Sequence, residues 1–181
     1  MKEILIKYKS VIRFVVLFIG TYLLLSFLYS VYLKMSAGGD YFPDYFTNLV
    51  ARQSAVILEA FGYPTDLFNH HREGGVYLTV KESYTVNIVE GCNAISVIIL
   101  FISFVIAFAE KFKKTFLFLL AGMVLIYASN ILRIVILVIA SYNYPKYQDT
   151  LHGVVFPTII YGMVFLLWIA WVRIVNPKPK S

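Results

Sequence analysis

Three apolar runs of more than twenty residues, Val11 to Leu33, Thr115 to Ala140 and Val154 to Val175, restrict what this chain can fold into more than anything else in it. A helix needs roughly 20 apolar residues to cross a hydrocarbon core of about 30 Å, so each run predicts a transmembrane span. A fourth run, Ala94 to Ala109, is shorter, but flanking residues or local thinning of the bilayer absorb a mismatch of a few ångströms. With 60% hydrophobic residues, the expected fold is an all-α polytopic membrane protein. A single membrane domain, 1–181, would hold spans at 11–33, 94–109, 115–140 and 154–175 and an extracytoplasmic insertion at 34–93.

Basic residues set the orientation. The N-terminal flank, the 110–114 connection and the C-terminal flank carry ten Lys and Arg, among them Lys9, Arg13, Lys111, Lys113, Lys114 and Arg173, against acidic Glu3 and Glu110. The other side carries five, Lys34, Arg52, Arg72, Lys81 and Lys146, against eight acidic residues. The positive-inside rule then places both termini in the cytoplasm. The net charge of +6 is a topology signal split among short flanks, and no nucleic-acid partner is expected. Lys2, Lys7, Lys9 and Arg13 lead into the first run as in a signal peptide, yet that run is long and no small-x-small site follows it, so a retained anchor is expected.

The insertion opens with an amphipathic pattern. Phe42, Phe46, Leu49, Val50, Val56, Ile57 and Ala60 recur at helical spacing, with Asp44, Arg52, Gln53 and Glu59 largely elsewhere, and Gly62-Tyr63-Pro64 stops the helix. Such a helix lies in the membrane interface or covers the bundle. After a polar stretch from Asn69 to Gly75, Val76, Leu78 and Val80 alternate with polar residues. Beyond Lys81-Glu82-Ser83, Tyr84, Val86 and Ile88 do the same, which predicts a β-hairpin. The hairpin leads directly to Glu90-Gly91-Cys92-Asn93.

Three polar residues fall near the outer face. Cys92 stands at the mouth of the second span, where Asn93 suits an N-cap and the helix dipole stabilises negative charge. Arg133 lies about seven residues below the outer end of the third span, roughly 10 Å, and a guanidinium can snorkel much of that distance. A charge in a span costs at least ~2.5 kcal/mol and usually marks function. His152 precedes the fourth span, with Gly153 beside it and Pro157 suited to the first helical turn. Cysteine with histidine suffices for acyl transfer, the imidazole taking the thiol proton and returning it to the leaving amine. A preorganised guanidinium would stabilise the oxyanion. Glu90 could pair with Arg133 or orient His152, and Asn130, three residues before Arg133, could bond the guanidinium or cap the site.

Other chemistries find less support. His70, His71 and Glu73 lack ligand-spaced partners, so no metal is expected. No phosphate loop or dinucleotide fingerprint calls for a cofactor, and one cysteine excludes an intrachain disulfide. Two non-enzymatic readings stay open. An assembly or accessory subunit would dock through the interfacial helix and hairpin, and a small transporter component would bind an anion at Arg133.

Glu90-Gly91-Cys92-Asn93-Ala94-Ile95 opening one span, Asn130-Ile131-Leu132-Arg133-Ile134 inside the next and His152-Gly153 opening the last resemble the exosortase/archaeosortase family of membrane transpeptidases. The resemblance covers roughly Glu90 to Tyr161 and keeps the order Cys, Arg, His, one per successive helix. Many members have more spans and read Ala-Cys-Ser-Gly where this chain reads Gly-Cys-Asn-Ala, so it looks like one of the short, Bacteroidetes-type forms. The resemblance implies a cysteine-dependent transpeptidase or protease at the outer face of a bacterial cytoplasmic membrane, with Cys92 as nucleophile and Arg133 and His152 completing the site. It also implies exported protein substrates bearing a C-terminal motif, a transmembrane helix and a basic cluster, cut through a thioester. Transfer to a lipid or glycan acceptor would follow.

Overall fold

In the computed structural model, residues 8–36, 39, 41–70, 74–81, 84–109 and 111–175 are described. The side chains of His70 and Tyr84, together with His71, Glu73, Glu82, Ser83, Glu110 and the basic residues nearest either terminus, lie outside that description. Helix α1 spans Lys9–Ser36, α2 Tyr45–Ala60, α3 Ile95–Ala107, α4 Phe112–Asn143 and α5 Phe156–Val175. Between α2 and α3 come strands β1 (Thr65–His70), β2 (Gly75–Val80) and β3 (Tyr84–Val89) and a 3₁₀ turn, Glu90–Cys92.

Three helical stretches are long and apolar enough to cross a membrane: Lys9–Ser36, Phe112–Asn143 and Pro145–Val175. The fourth expected span is shorter than predicted. Its helix, α3, has 13 residues because Ala94 turns into the left-handed region at φ 64° and the helix ends at Phe108. At ~1.5 Å per residue this is about 20 Å of helix.

Packing fixes the helix directions. Phe14 near the start of α1 meets Phe104 and Phe108 near the end of α3, while Tyr29 near the other end of α1 bonds Asn93 ahead of α3. Phe101 sits against Gly122 and Phe118 of α4. Phe118 stacks on Trp171 with centroids 4.8 Å apart, and Ser129 reaches Met163. The four helices therefore run alternately up and down. Lys9, Arg13, Lys111, Lys113, Lys114 and Arg173 collect at one end, and Cys92 lies toward the other. Close approach joins α3 to α4, since the Phe101 ring occupies the space that a Cβ on Gly122 would need.

Over the outer half of α4 sits the insertion. Helix α2 packs between the sheet and α4: Val50, Ala51, Ala55 and Leu58 join Val76, Leu78, Val80 and Ile88 on one side and Ile131, Ile134, Val135 and Val138 on the other. The expected helix is present, but its buried face is largely a different one and shares only Val50 with the predicted stripe. Thr47, Val50, Ala51, Ser54, Ala55 and Leu58 face inward, while Val56 is 65% exposed. Much of that face is made of small side chains, which a stripe chosen by hydropathy overlooks. Asp44, expected on the polar face, is fully buried as the N-cap, accepting from the backbone N–H groups of Phe46 (2.9 Å) and Thr47 (3.1 Å).

The expected hairpin is β2–β3, in antiparallel register from Val80 opposite Tyr84 to Gly75 opposite Val89, with Lys81 at φ 49° in the turn. A third strand, β1, has no counterpart in the pattern of the sequence. It pairs with β2 from Thr65 opposite Val80 to His70 opposite Gly75, so the sheet order is β1–β2–β3.

Replacing Gly122 by Val should force the Phe101 ring out of its place and lower stability in detergent by about 1–3 kcal/mol, the usual cost of overpacking. Gly122→Val combined with Phe101→Ala should recover part of the melting temperature. No loss in the single variant would mean that α3 and α4 do not meet there.

Candidate active site

Two asparagines hold the cysteine. After β3, the 3₁₀ turn ends at Cys92, whose backbone carbonyl accepts a hydrogen bond of 2.6 Å from Nδ2 of Asn130 on α4. One residue on, Asn93 is buried and faces the other way. Its Oδ1 accepts from the Ile95 N–H at 3.0 Å, but the N-cap of α3 is Ala94, so Asn93 stands one residue ahead of the position expected for it. Its Nδ2 donates to the Tyr29 hydroxyl of α1 (2.8 Å) and to Thr47 Oγ1 of α2 (3.1 Å). Thr47 in turn donates to the Asp44 carboxylate, and the Tyr32 hydroxyl reaches the same carboxylate. Cys92 is thereby tied to α4 on one side and to α1 and α2 on the other. Its thiol is free and half-buried, packed against the core beneath the sheet.

Asn130 thus has a different partner from the one expected. It holds the Cys92 backbone; the Arg133 guanidinium it leaves alone. Arg133 is half-buried, and its Nε is enclosed without a hydrogen-bond partner. Glu90 is exposed to solvent, and among the described residues it forms no ion pair with Arg133.

His152 lies inside a helical track, not ahead of one. A 3₁₀ turn, Pro145–Tyr147, one α-helical turn, Gln148–Thr150, and a π-helical turn, Leu151–Val155, lead without a break into α5. Pro157 sits near the start of α5. A proline within a helical run offers no N–H and its ring crowds the carbonyl four residues back, and a widened turn at that place accommodates both. The exposed imidazole borders a cavity of about 330 Å³, shared with Thr85, Val86 and Asn87 of β3, Leu137 of α4, and Gln148, Asp149 and Gly153.

No described hydrogen bond joins Cys92, Arg133 and His152 to one another; they are related through two common elements. Along α4, Asn130, Arg133 and Leu137 follow at intervals of three and four and so share a face. Asn130 touches Cys92, Leu137 walls the His152 cavity, and Arg133 stands between them on a stripe rising about 10 Å. Strand β3 makes the second link, lining the cavity with Thr85 to Asn87 and running on into the turn that ends at Cys92. Cys92, Arg133 and His152 all lie toward the same end of the bundle, on three successive helical elements.

Sequence reasoning misses Asn87, Gln148 and Asp149. The three-residue spacing of Asp149 and His152 is the available signal for one of them, since it puts both on one side of a helical turn. Asn87 has none, because its place depends on which edge of the sheet faces the helices. Its Oδ1 is buried without a partner and lies where a side chain on Gly75 would fall.

Comparison with known proteins gives one positive result: the model of a protein family described as transmembrane exosortase matches residues 10–174. No curated protein matches, and no solved structure does.

Asn130→Leu should leave the Cys92 carbonyl unpaired, at a cost of about 1–3 kcal/mol. As Cys92 is the sole cysteine, maleimide labelling reads its exposure directly, and the rate in detergent should rise several-fold over the unaltered protein. An unchanged labelling rate and melting temperature would show that the bond does not restrain the turn.

Proposed function

This chain belongs to the transmembrane exosortase family, and from that membership we propose that it is a cysteine-dependent transpeptidase or protease acting at the outer face of a bacterial cytoplasmic membrane. Its substrates are exported proteins that stall in the membrane by a C-terminal helix followed by a basic cluster. With the basic end of the bundle in the cytoplasm, both termini are inside and Cys92 opens outward.

The supporting observation is the Arg133 guanidinium. It is half-buried in an apolar bundle, its Nε has no partner, and it lies one turn above the asparagine that holds the cysteine. A half-buried guanidinium with an unpartnered Nε has hydrogen-bonding capacity to offer negative charge, and the oxyanion of acyl transfer is such a charge. Cys92 Sγ attacks the carbonyl carbon of the scissile peptide while His152 takes the thiol proton. The tetrahedral oxyanion forms against Arg133. Collapse breaks the C–N bond, His152 returns the proton to the departing amine, and a thioester remains on Cys92. An incoming nucleophile, an amine of a lipid or glycan carrier, then gives up a proton and takes the acyl group, regenerating the thiol. Water in that place makes the reaction a hydrolysis. No metal or cofactor enters these steps.

Expressed with an exported protein bearing such a C-terminal signal, the wild type should yield a substrate shortened at one defined position, and Cys92→Ala should not. Mass spectrometry of the mature substrate reads both, and any added mass identifies the acceptor. Arg133→Lys should slow processing by about 100-fold or more, since a point charge does not reproduce the guanidinium fork. Identical substrate masses in wild type and Cys92→Ala would favour an accessory subunit that docks through the insertion.

A further inference from the structure

β3 is an edge strand. The sheet order β1–β2–β3 leaves one side of it unpaired, and the 330 Å³ cavity runs along that side. Successive residues of a strand point to opposite faces, so a cavity that touches Thr85, Val86 and Asn87 together lies beside the strand's edge and not over a face. Across from the edge stand Leu137, Gln148, Asp149, His152 and Gly153. Among the described residues no hydrogen bond crosses from that wall to the backbone of Thr85, Val86 or Asn87. Edge N–H and C=O groups require partners and are commonly covered or blunted. Here a helical wall stands opposite them with an open gap between.

We infer that this edge is the substrate track: the extended cleavage motif enters the gap as an added strand on β3, which delivers its scissile bond to Cys92. The inference rests on the transpeptidase reading and adds how the substrate is held. From Thr85 to Val89 the edge is roughly 13 Å long, room for four or five extended residues, and the chain passes from Val89 directly into the turn that ends at Cys92. Main-chain pairing supplies affinity that tolerates sequence variation, and alternate side chains read by the helical wall supply selectivity. A peptide fits this gap better than a lipid. The lining includes Thr85, Asn87, Gln148, Asp149 and His152, whereas the groove at the basic end, lined by Ile106, Phe112, Phe116 and Leu119, is the apolar one.

The test uses the full-length protein in membranes. Cys92→Ala removes the only cysteine, so Thr85→Cys or Asn87→Cys can be introduced singly into that background, with Asn69→Cys on the far strand β1 as control. The probe is the exported protein whose C-terminal cut depends on Cys92, carrying one cysteine moved stepwise through its cleavage motif. On oxidation, disulfide adducts should form at positions 85 and 87 with a two-residue alternation along the motif, at least about tenfold above the Asn69 arm. If wild type cuts the substrate yet no adduct forms at 85 or 87, or adducts lack alternation or match the Asn69 control, the track is wrong and the enzyme reading stands. If Cys92→Ala leaves the substrate mass unchanged from wild type, both fall together.

Discussion

The 2.6 Å bond from Asn130 to the Cys92 carbonyl is the contact on which the outer half of this protein depends. Asn130 is buried in a 32-residue helix that is otherwise mainly apolar, where an amide without partners is expensive. The Cys92 carbonyl in turn lies in a 3₁₀ turn too short to satisfy its own last groups. Each supplies what the other lacks. Asn93 acts on the next residue in the opposite direction, so two neighbouring positions of one short turn are held by three helices. What remains free at Cys92 is mainly rotation of its own side chain.

Helix α4 then works as a ruler. The stripe that begins at Asn130, which holds Cys92, passes Arg133 and reaches Leu137, which lines the cavity where His152 stands. A carboxylate beside Arg133 would neutralise it permanently and remove its value for a charge that exists only during reaction. Glu90 is close in sequence, yet its exposed position keeps it in water, where a pairing with a half-buried arginine would gain little. The unpaired Nε is consistent with a site organised for a transient anion.

Elements governed by periodicity are legible in the sequence itself. Long apolar runs announce the spanning helices, and alternation in Val76 to Val80 and Val86 to Ile88 announces β2 and β3. Strand β1 stays hidden because Thr65-Asp66-Leu67-Phe68-Asn69 alternates poorly and becomes a strand by pairing with its sequence neighbour β2. Hydropathy misplaces the phase of α2 because its buried face includes Thr47, Ala51, Ser54 and Ala55, small residues that carry little apolar area. Cys92, Arg133 and His152 are legible as residue types at one membrane face. The true partner of Asn130 is not, since a hydrogen bond to a backbone carbonyl thirty-eight residues away leaves no trace in local pattern. Only Pro157 hints at the π turn around His152, and a proline there reads equally well as a helix start.

Helix α1 adds a final constraint. None of its described side chains is buried within the protein, but it runs close along α3, and the aromatic cluster of Phe14 with Phe104 and Phe108 ties its inner end to that helix. Yet Tyr29 and Tyr32, at its outer end, hold Asn93 and Asp44. In lipid the hydrophobic effect does not press helices together, so such an arrangement relies on packing and a small number of polar bonds. The cysteine turn is therefore braced on one side by a largely buried helix and on the other by one whose outer face meets the membrane. The geometry of the site is then a property of the protein in its bilayer, and removing the lipid should loosen the Asn93 side before the Asn130 side.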